Sequence, residues 1–174
     1  MATFKIDPAH SEIEFKVKHL MITTVTGKFN SFDASMESNE ADFSDASIRF
    51  SADVNSIDTS NEQRDGHLKS DDFFNAEQYP TLSFASTGFK KLSDSNYELT
   101  GDLTIRDVTK AVTLAVEYGG TMVDPWGQTK AGFEISGKIN RKDFNLKWSA
   151  TTEAGGVVVS DEVKLQLNVQ LVKQ

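Results

Sequence analysis

The chain of 174 residues has no cysteine and three prolines. Without thiols there is no disulfide framework, no Cys nucleophile and no thiolate metal site, and nothing points to an oxidising compartment. Positive charge is in short supply: 18 Lys and Arg face 26 Asp and Glu, for a formal net charge of −8. Such a surface builds no field for a nucleic-acid backbone, so no nucleic-acid partner is expected, and it mildly repels an anionic membrane. Long hydrophobic runs are also lacking. None approaches the roughly 18 apolar residues that cross a bilayer as a helix, so stable membrane insertion is not expected. The segment Met1-Ala2-Thr3-Phe4-Lys5-Ile6-Asp7-Pro8 enters a strand-like pattern at once, without the charged stretch and apolar core of a secretory signal. The expected compartment is the cytoplasm, or the periplasm if a leader has been removed.

Catalytic signatures are sparse. There is no Gly-x-Ser-x-Gly elbow and no His-Glu-x-x-His pair, and Gly119-Gly120 and Gly155-Gly156 do not make a phosphate loop. The three histidines, His10, His19 and His67, with Asp65 or Asp71, are the groups from which a small enzyme or metal-binding protein would have to be assembled. That remains an alternative; no catalytic residue and no metal ligand is expected.

What the chain does have is period-two alternation. Tyr97, Leu99, Gly101, Leu103 and Ile105 alternate with Glu98, Thr100, Asp102 and Thr104. Ala131, Phe133, Ile135, Gly137 and Ile139 alternate with Gly132, Glu134, Ser136 and Lys138, and Val163 to Leu171 repeats the pattern. One face of each strand meets water and the other is buried. The alternation predicts eight strands: 12–19, 24–36, 45–56, 81–91, 96–106, 111–123, 130–140 and 161–172. In the second, the apolar positions change parity between Phe29 and Phe32, which predicts a bulge near Asn30 and Ser31. Asn61-Glu62-Gln63 follows Thr59 and Ser60 at capping-box spacing, predicting a short helix from about Ser60 to Lys69 between strands three and four, with another turn at 70–74. The link from Arg141 to Ser160 is long enough to be a lid or binding loop, and Phe144, Leu146, Trp148 and Val157-Val158-Val159 within it are apolar enough to cap a ligand, dock a membrane or bind a partner.

A two-sheet sandwich would show the same alternation, but short links between consecutive long strands favour an all-β, single-domain (1–174), antiparallel up-and-down barrel of eight strands. Eight strands enclose either side chains or one slender ligand. Small residues on the inward face decide for a cavity: Gly27, Ala52, Ser86, Gly88, Gly101, Ala131 and Gly137 are spread over several strands. The expected lining is Phe15, Val17, Gly27, Phe29, Phe50, Ala52, Phe84, Ser86, Leu99, Gly101, Leu103, Leu114, Val116, Phe133, Ile135, Gly137, Leu165 and Leu167. On this reading Gly101→Leu or Gly137→Leu would occupy void and leave the fold intact. Candidate head-group contacts at a mouth are His19, Arg64, His67 and Arg141, by charge-assisted hydrogen bonding. The rival to a hollow barrel is a filled one acting as a protein-interaction module. Whether two barrels pair as a homodimer is left open.

Several phrases together resemble the YceI-like, or polyisoprenoid-binding, family over nearly the whole length. They are Asp7-Pro8-Ala9-His10-Ser11 with Phe15-Lys16-Val17-Lys18-His19, Thr26-Gly27-Lys28-Phe29, Ser56-Ile57-Asp58-Thr59, Arg64-Asp65-Gly66-His67-Leu68-Lys69-Ser70-Asp71-Asp72-Phe73-Phe74, Tyr79-Pro80, Leu103-Thr104-Ile105 and Arg141-Lys142-Asp143-Phe144. The resemblance implies a lipocalin-like barrel that holds a long-chain lipid of isoprenoid, quinone or fatty-chain type, with no other cofactor. Many members carry a secretory leader, which this sequence lacks. Where relatives often continue Leu103-Thr104-Ile105 with Gly, this chain has Arg106, which the alternation places outward.

Overall fold

In the computed structural model, described for residues 1–149 and 158–174, the chain forms a closed antiparallel barrel. Eleven strand segments build it: β1 (Ala2–Ile6), β2 (Glu12–His19), β3 (Thr23–Phe29), β4 (Phe32–Ser38), β5 (Ser47–Asp53), β6 (Ile57–Asp58), β7 (Thr81–Lys91), β8 (Asn96–Ile105), β9 (Val108–Val123), β10 (Thr129–Asn140) and β11 (Glu162–Lys173). Each segment pairs antiparallel with its neighbours. β11 closes the ring by pairing with β2 through its first half and with β1 through its second. β1 with β2, β3 with β4 and β5 with β6 are three interrupted strands, so the wall has eight members in up-and-down order. Inward and outward residues alternate around it. Every β8 residue of odd number from Tyr97 to Ile105 is buried, and the even ones are exposed or half-buried.

The three interruptions lie side by side. Asp7 caps a 3-10 turn over Pro8–His10, the ladder breaks at Asn30 and Ser31 where parity changes, and Asp53 caps a second 3-10 turn over Val54–Ser56. Hydrogen bonds from Asn30 N–H to Ser56 C=O (3.2 Å) and from Asp53 N–H to Ser31 C=O (2.9 Å) stitch the second and third together in one crease. Breaks of this kind bend a sheet sharply, and here they fold three adjacent strands over one end of the barrel.

That end carries the 20–22 turn, the 59–80 connection, the 106–107 turn and the link after β10. The opposite end carries the N-terminus and the 39–46, 92–95 and 124–128 links. Within the first group, helix α1 (Glu62–Lys69) starts at Asn61, whose side-chain oxygen accepts the Arg64 N–H at 3.0 Å. Arg106 sits in the β8–β9 turn at φ 55°, a left-handed conformation that glycine adopts more readily. It is half-buried rather than free in solvent. Its guanidinium donates to the carbonyls of Asp71 and Phe73 (2.9 Å each) and pairs with the Asp71 carboxylate (3.0 Å), tying the helix connection to the barrel.

Candidate functional site: a one-ended apolar lumen

The barrel is hollow. A cavity of about 560 Å³ runs along its axis, walled by inward residues of every long strand. This is well within the range of roughly 300–1,000 Å³ that holds a small ligand. Of the residues singled out from the sequence, Phe15, Val17, Phe29, Phe50, Phe84, Leu99, Leu103, Leu114, Val116, Phe133, Ile135, Leu165 and Leu167 stand on this wall. The small residues do not. Ala52, with 1% exposure, and Ala131, with none, are packed inside the wall, and the Ser86 hydroxyl accepts the Ile48 N–H at 2.8 Å. Gly88 lies beside a register shift in β7 and is exposed.

Gly27, Gly101 and Gly137 correct the sequence reading most directly. A Cβ at Gly27 would collide with the Phe15 ring, one at Gly101 with the Phe84 ring and the Ala85 carbonyl (2.5 Å), and one at Gly137 with a Leu114 methyl. The space each glycine leaves is therefore occupied. Its effect on the lumen is indirect: a large neighbour lies flat against bare backbone instead of standing in the bore. Gly101→Leu and Gly137→Leu would thus displace wall residues before filling any void, and at Gly101 the backbone itself would have to yield.

Aromatic packing seals the end that carries the N-terminus. Phe43, from the β4–β5 link, meets Phe4, Tyr118 and Phe133 edge-on at 5.5, 5.5 and 5.7 Å between ring centres. Tyr97 stacks on Phe89 at 4.7 Å and donates its hydroxyl to the Asp42 carbonyl. The link presenting Phe43 is held by Asp45, whose carboxylate accepts from the Ser38 hydroxyl (2.5 Å) and the N–H groups of Asn39 (2.9 Å) and Glu40 (3.2 Å). These bonds, led by Ser38, pull the Asp45 pKa down to about 2. Because the folded value lies below the ordinary 3.8, its stabilisation is complete above about pH 4 and is lost as pH falls toward 2. Asp45→Asn should accordingly flatten the decline in urea midpoint over that interval, and a decline of unchanged steepness would count against this role.

The other end is open and polar. Thr59, Asn61, Gln63, Arg64 and His67 from the helix connection, Lys18 and His19 from β2, and Trp148 from the link after β10 rim it. Arg64 is braced by Thr59, with Nε on the hydroxyl (2.8 Å) and one terminal nitrogen on the carbonyl (2.6 Å). His67 is held between the Phe73 and Trp148 rings, both 5.0 Å away, and its Nε2 lies 2.8 Å from Asp72. His19 lines the cavity where β2 meets Val159.

Arg141 differs from the head-group candidate read from the sequence. It is 3% exposed, and its guanidinium donates to the carbonyls of Leu146 (2.6 Å), Trp148 (2.7 Å), Ser160 (2.9 Å) and Val159 (3.4 Å), with Asp161 at 3.5 Å. It borders the cavity, but its guanidinium is directed at these backbone and carboxylate acceptors. Burial lowers its pKa, and Asp161 opposes the shift. Phe144 is buried, Leu146 is buried against the lumen and Trp148 is half-buried at the rim. Gly155-Gly156 and Val157 lie outside the described residues. Phe73 and Phe74, which follow the helix, also reach the wall; an aromatic pair set between Asp72 and Asn75 was the available signal.

The three histidines do not converge. His10 sits on the crease with Nδ1 2.8 Å from Asp7, away from His19 and His67, and among the described residues no group of His, Asp and Glu is placed to hold a metal. Nor does any helix among them have the length and apolarity to cross a membrane.

A closed antiparallel barrel with an apolar bore and a polar rim at one end defines the lipocalin-like class of barrel. The chain belongs to the YceI-like family, whose domain matches residues 4–171. It is 39% identical to Protein YceI of Salmonella newport, covering 99% of this chain and 88% of that one. The crystal structure of a Campylobacter jejuni YceI protein superposes with a TM-score of 0.77 at 33% identity over 90% of each chain. A polyisoprenoid-binding domain from Saccharophagus degradans shares the fold, with a TM-score of 0.72 at 14% identity over 98% of each chain.

Proposed function

We propose that this protein binds one long-chain apolar lipid, of isoprenoid, quinone or fatty-chain type, and carries it without chemical change. The observation that carries this reading is the bore itself: about 560 Å³, walled by aliphatic and aromatic side chains, with hydrogen-bonding groups gathered at its open end. The tail lies along the wall and the head stays at the rim, within reach of the Arg64 terminal nitrogen that Thr59 does not engage, His19 and His67. A hollow lumen speaks against the filled-barrel interaction module. His10 stands apart from His19 and His67, which speaks against a site built from all three histidines.

Each buried methylene contributes roughly 0.8 kcal/mol, offset by the ordering of a flexible chain. Affinity therefore rises with chain length until the bore is full and then levels off. Solvent extraction of the purified protein followed by mass spectrometry should recover lipid at close to one per chain, and lipid-free protein should take up added polyprenyl or fatty chains. Protein that carries no lipid and takes up neither type of chain would refute the reading.

A further inference from the structure

The turn between β2 and β3 is built against the interest of folding. Leu20 and Met21 occupy the left-handed region at φ 53° and 61°, and Ile22 N–H closes the turn on His19 C=O at 3.2 Å. Asn-Gly is the sequence that adopts such a turn without strain, whereas branched or bulky side chains resist it. Packing returns little for the strain: Met21 and Ile22 are 65% and 79% exposed, and Leu20 39%. Strain retained without packing is a mark of use.

Charge around the turn is equally one-sided. Lys16, Lys18 and His19 lead into the turn and no acidic residue lies between Phe15 and Phe32, on a protein of net charge −8, while Lys28 stands farther back between Glu14 and Asp58 of the neighbouring strands. An apolar tip flanked by cations is the arrangement that enters the headgroup layer of a bilayer, with apolar side chains below and lysines at the phosphates. The tip is also continuous with the lumen, because His19 lines the cavity and Leu20 N–H donates to the carbonyl of Val158, another lining residue, at 2.8 Å.

Met122, Val123 and Trp126 form a second exposed apolar group, on the β9–β10 turn at the sealed end. The backbone of that turn is unstrained. The Asp124 carboxylate accepts from Trp126 and Gln128 N–H at 2.9 Å each, and Gly127 takes the positive φ.

We propose that the Leu20-Met21-Ile22 turn docks the protein on a lipid bilayer with the open end of the barrel facing the membrane. Its purpose rests on the lipid-binding reading, since docking there lets a chain pass from bilayer to bore without crossing water, but the docking is measured independently.

Co-sedimentation with vesicles of phosphatidylcholine and phosphatidylglycerol tests it. Wild-type protein should partition to the vesicles, and the triple variant Leu20→Asn, Met21→Gly, Ile22→Ser should bind about tenfold more weakly or worse. That variant installs the preferred turn, so its thermal midpoint should equal or exceed that of the wild type. Trp126→Ser should bind within about twofold of wild type. Vesicle binding undiminished in the triple variant, or abolished by Trp126→Ser, would overturn the proposal. So would failure of the wild type to bind, including the case where the tip instead mediates self-association. Uptake of chains offered in detergent micelles separates the two readings. It should survive in the triple variant, whereas its absence from both proteins would strike at lipid binding and leave the docking result standing.

Discussion

Arg141→Met should destabilise the protein by about 3–5 kcal/mol, because it strips several buried carbonyls of their donor at about 1–3 kcal/mol each. For a chain of this size that is a fall of roughly 10 °C in thermal midpoint. The reason is specific to the guanidinium. Five N–H groups in a rigid fork serve carbonyls on both sides of the link after β10, Leu146 and Trp148 on one and Val159 and Ser160 on the other. Methionine fills most of the volume and leaves those carbonyls without their donor. Lysine keeps the charge but offers three donors on a single atom, so Arg141→Lys should recover less than half of the loss. Urea or thermal unfolding of both variants is the check. A loss below about 1 kcal/mol in Arg141→Met would mean that the link is held some other way.

Uptake of a chain should fall about tenfold or more in the double variant Gly27→Val, Gly137→Val, because Phe15 and Leu114 can no longer lie against the wall. Their nearest free space is the bore. Loss of room for two methylenes, at roughly 0.8 kcal/mol each, amounts to about a tenfold loss of affinity. Valine suits a strand, and the colliding atoms in both cases belong to side chains, so the barrel should survive. Gly101→Ala should behave differently. The Ala85 carbonyl would lie 2.5 Å from the new Cβ, and moving backbone costs about 1–3 kcal/mol of stability. Fluorescence titration with a polyene fatty acid, paired with unfolding curves, distinguishes the two outcomes. Full uptake by the double variant would show that the flattened side chains do not set the width of the bore.

These glycines also mark what a single sequence reveals about such a fold. Alternation is a strong signal because a shift of one residue would turn every apolar side chain outward, and the faces of β8, β10 and β11 follow from it, whereas the register shift in β7 carries Gly88 to the other face. The parity change between Phe29 and Phe32 likewise located the break in the wall. The pattern tells which face a glycine is on, but not whose ring fills the space beside it. That depends on cross-strand geometry: Phe15 stands opposite Gly27, whereas Phe84 reaches Gly101 diagonally from the neighbouring strand. The strand-like pattern of residues 1–8 is β1, whose five residues before Asp7-Pro8 are too short a run to reveal their partners in the wall. Arg141 was read as a ligand contact since its fork suits a phosphate, yet the same fork suits converging carbonyls, and only the path of the link decides between them.

The aromatic stopper around Phe43 makes the bore a blind alley. Two chains cannot pass each other in it, so a resident molecule must back out before a newcomer advances. With competitor in excess, replacement of a bound chain should consequently be first order in the occupied protein, at a rate set by departure of the resident alone.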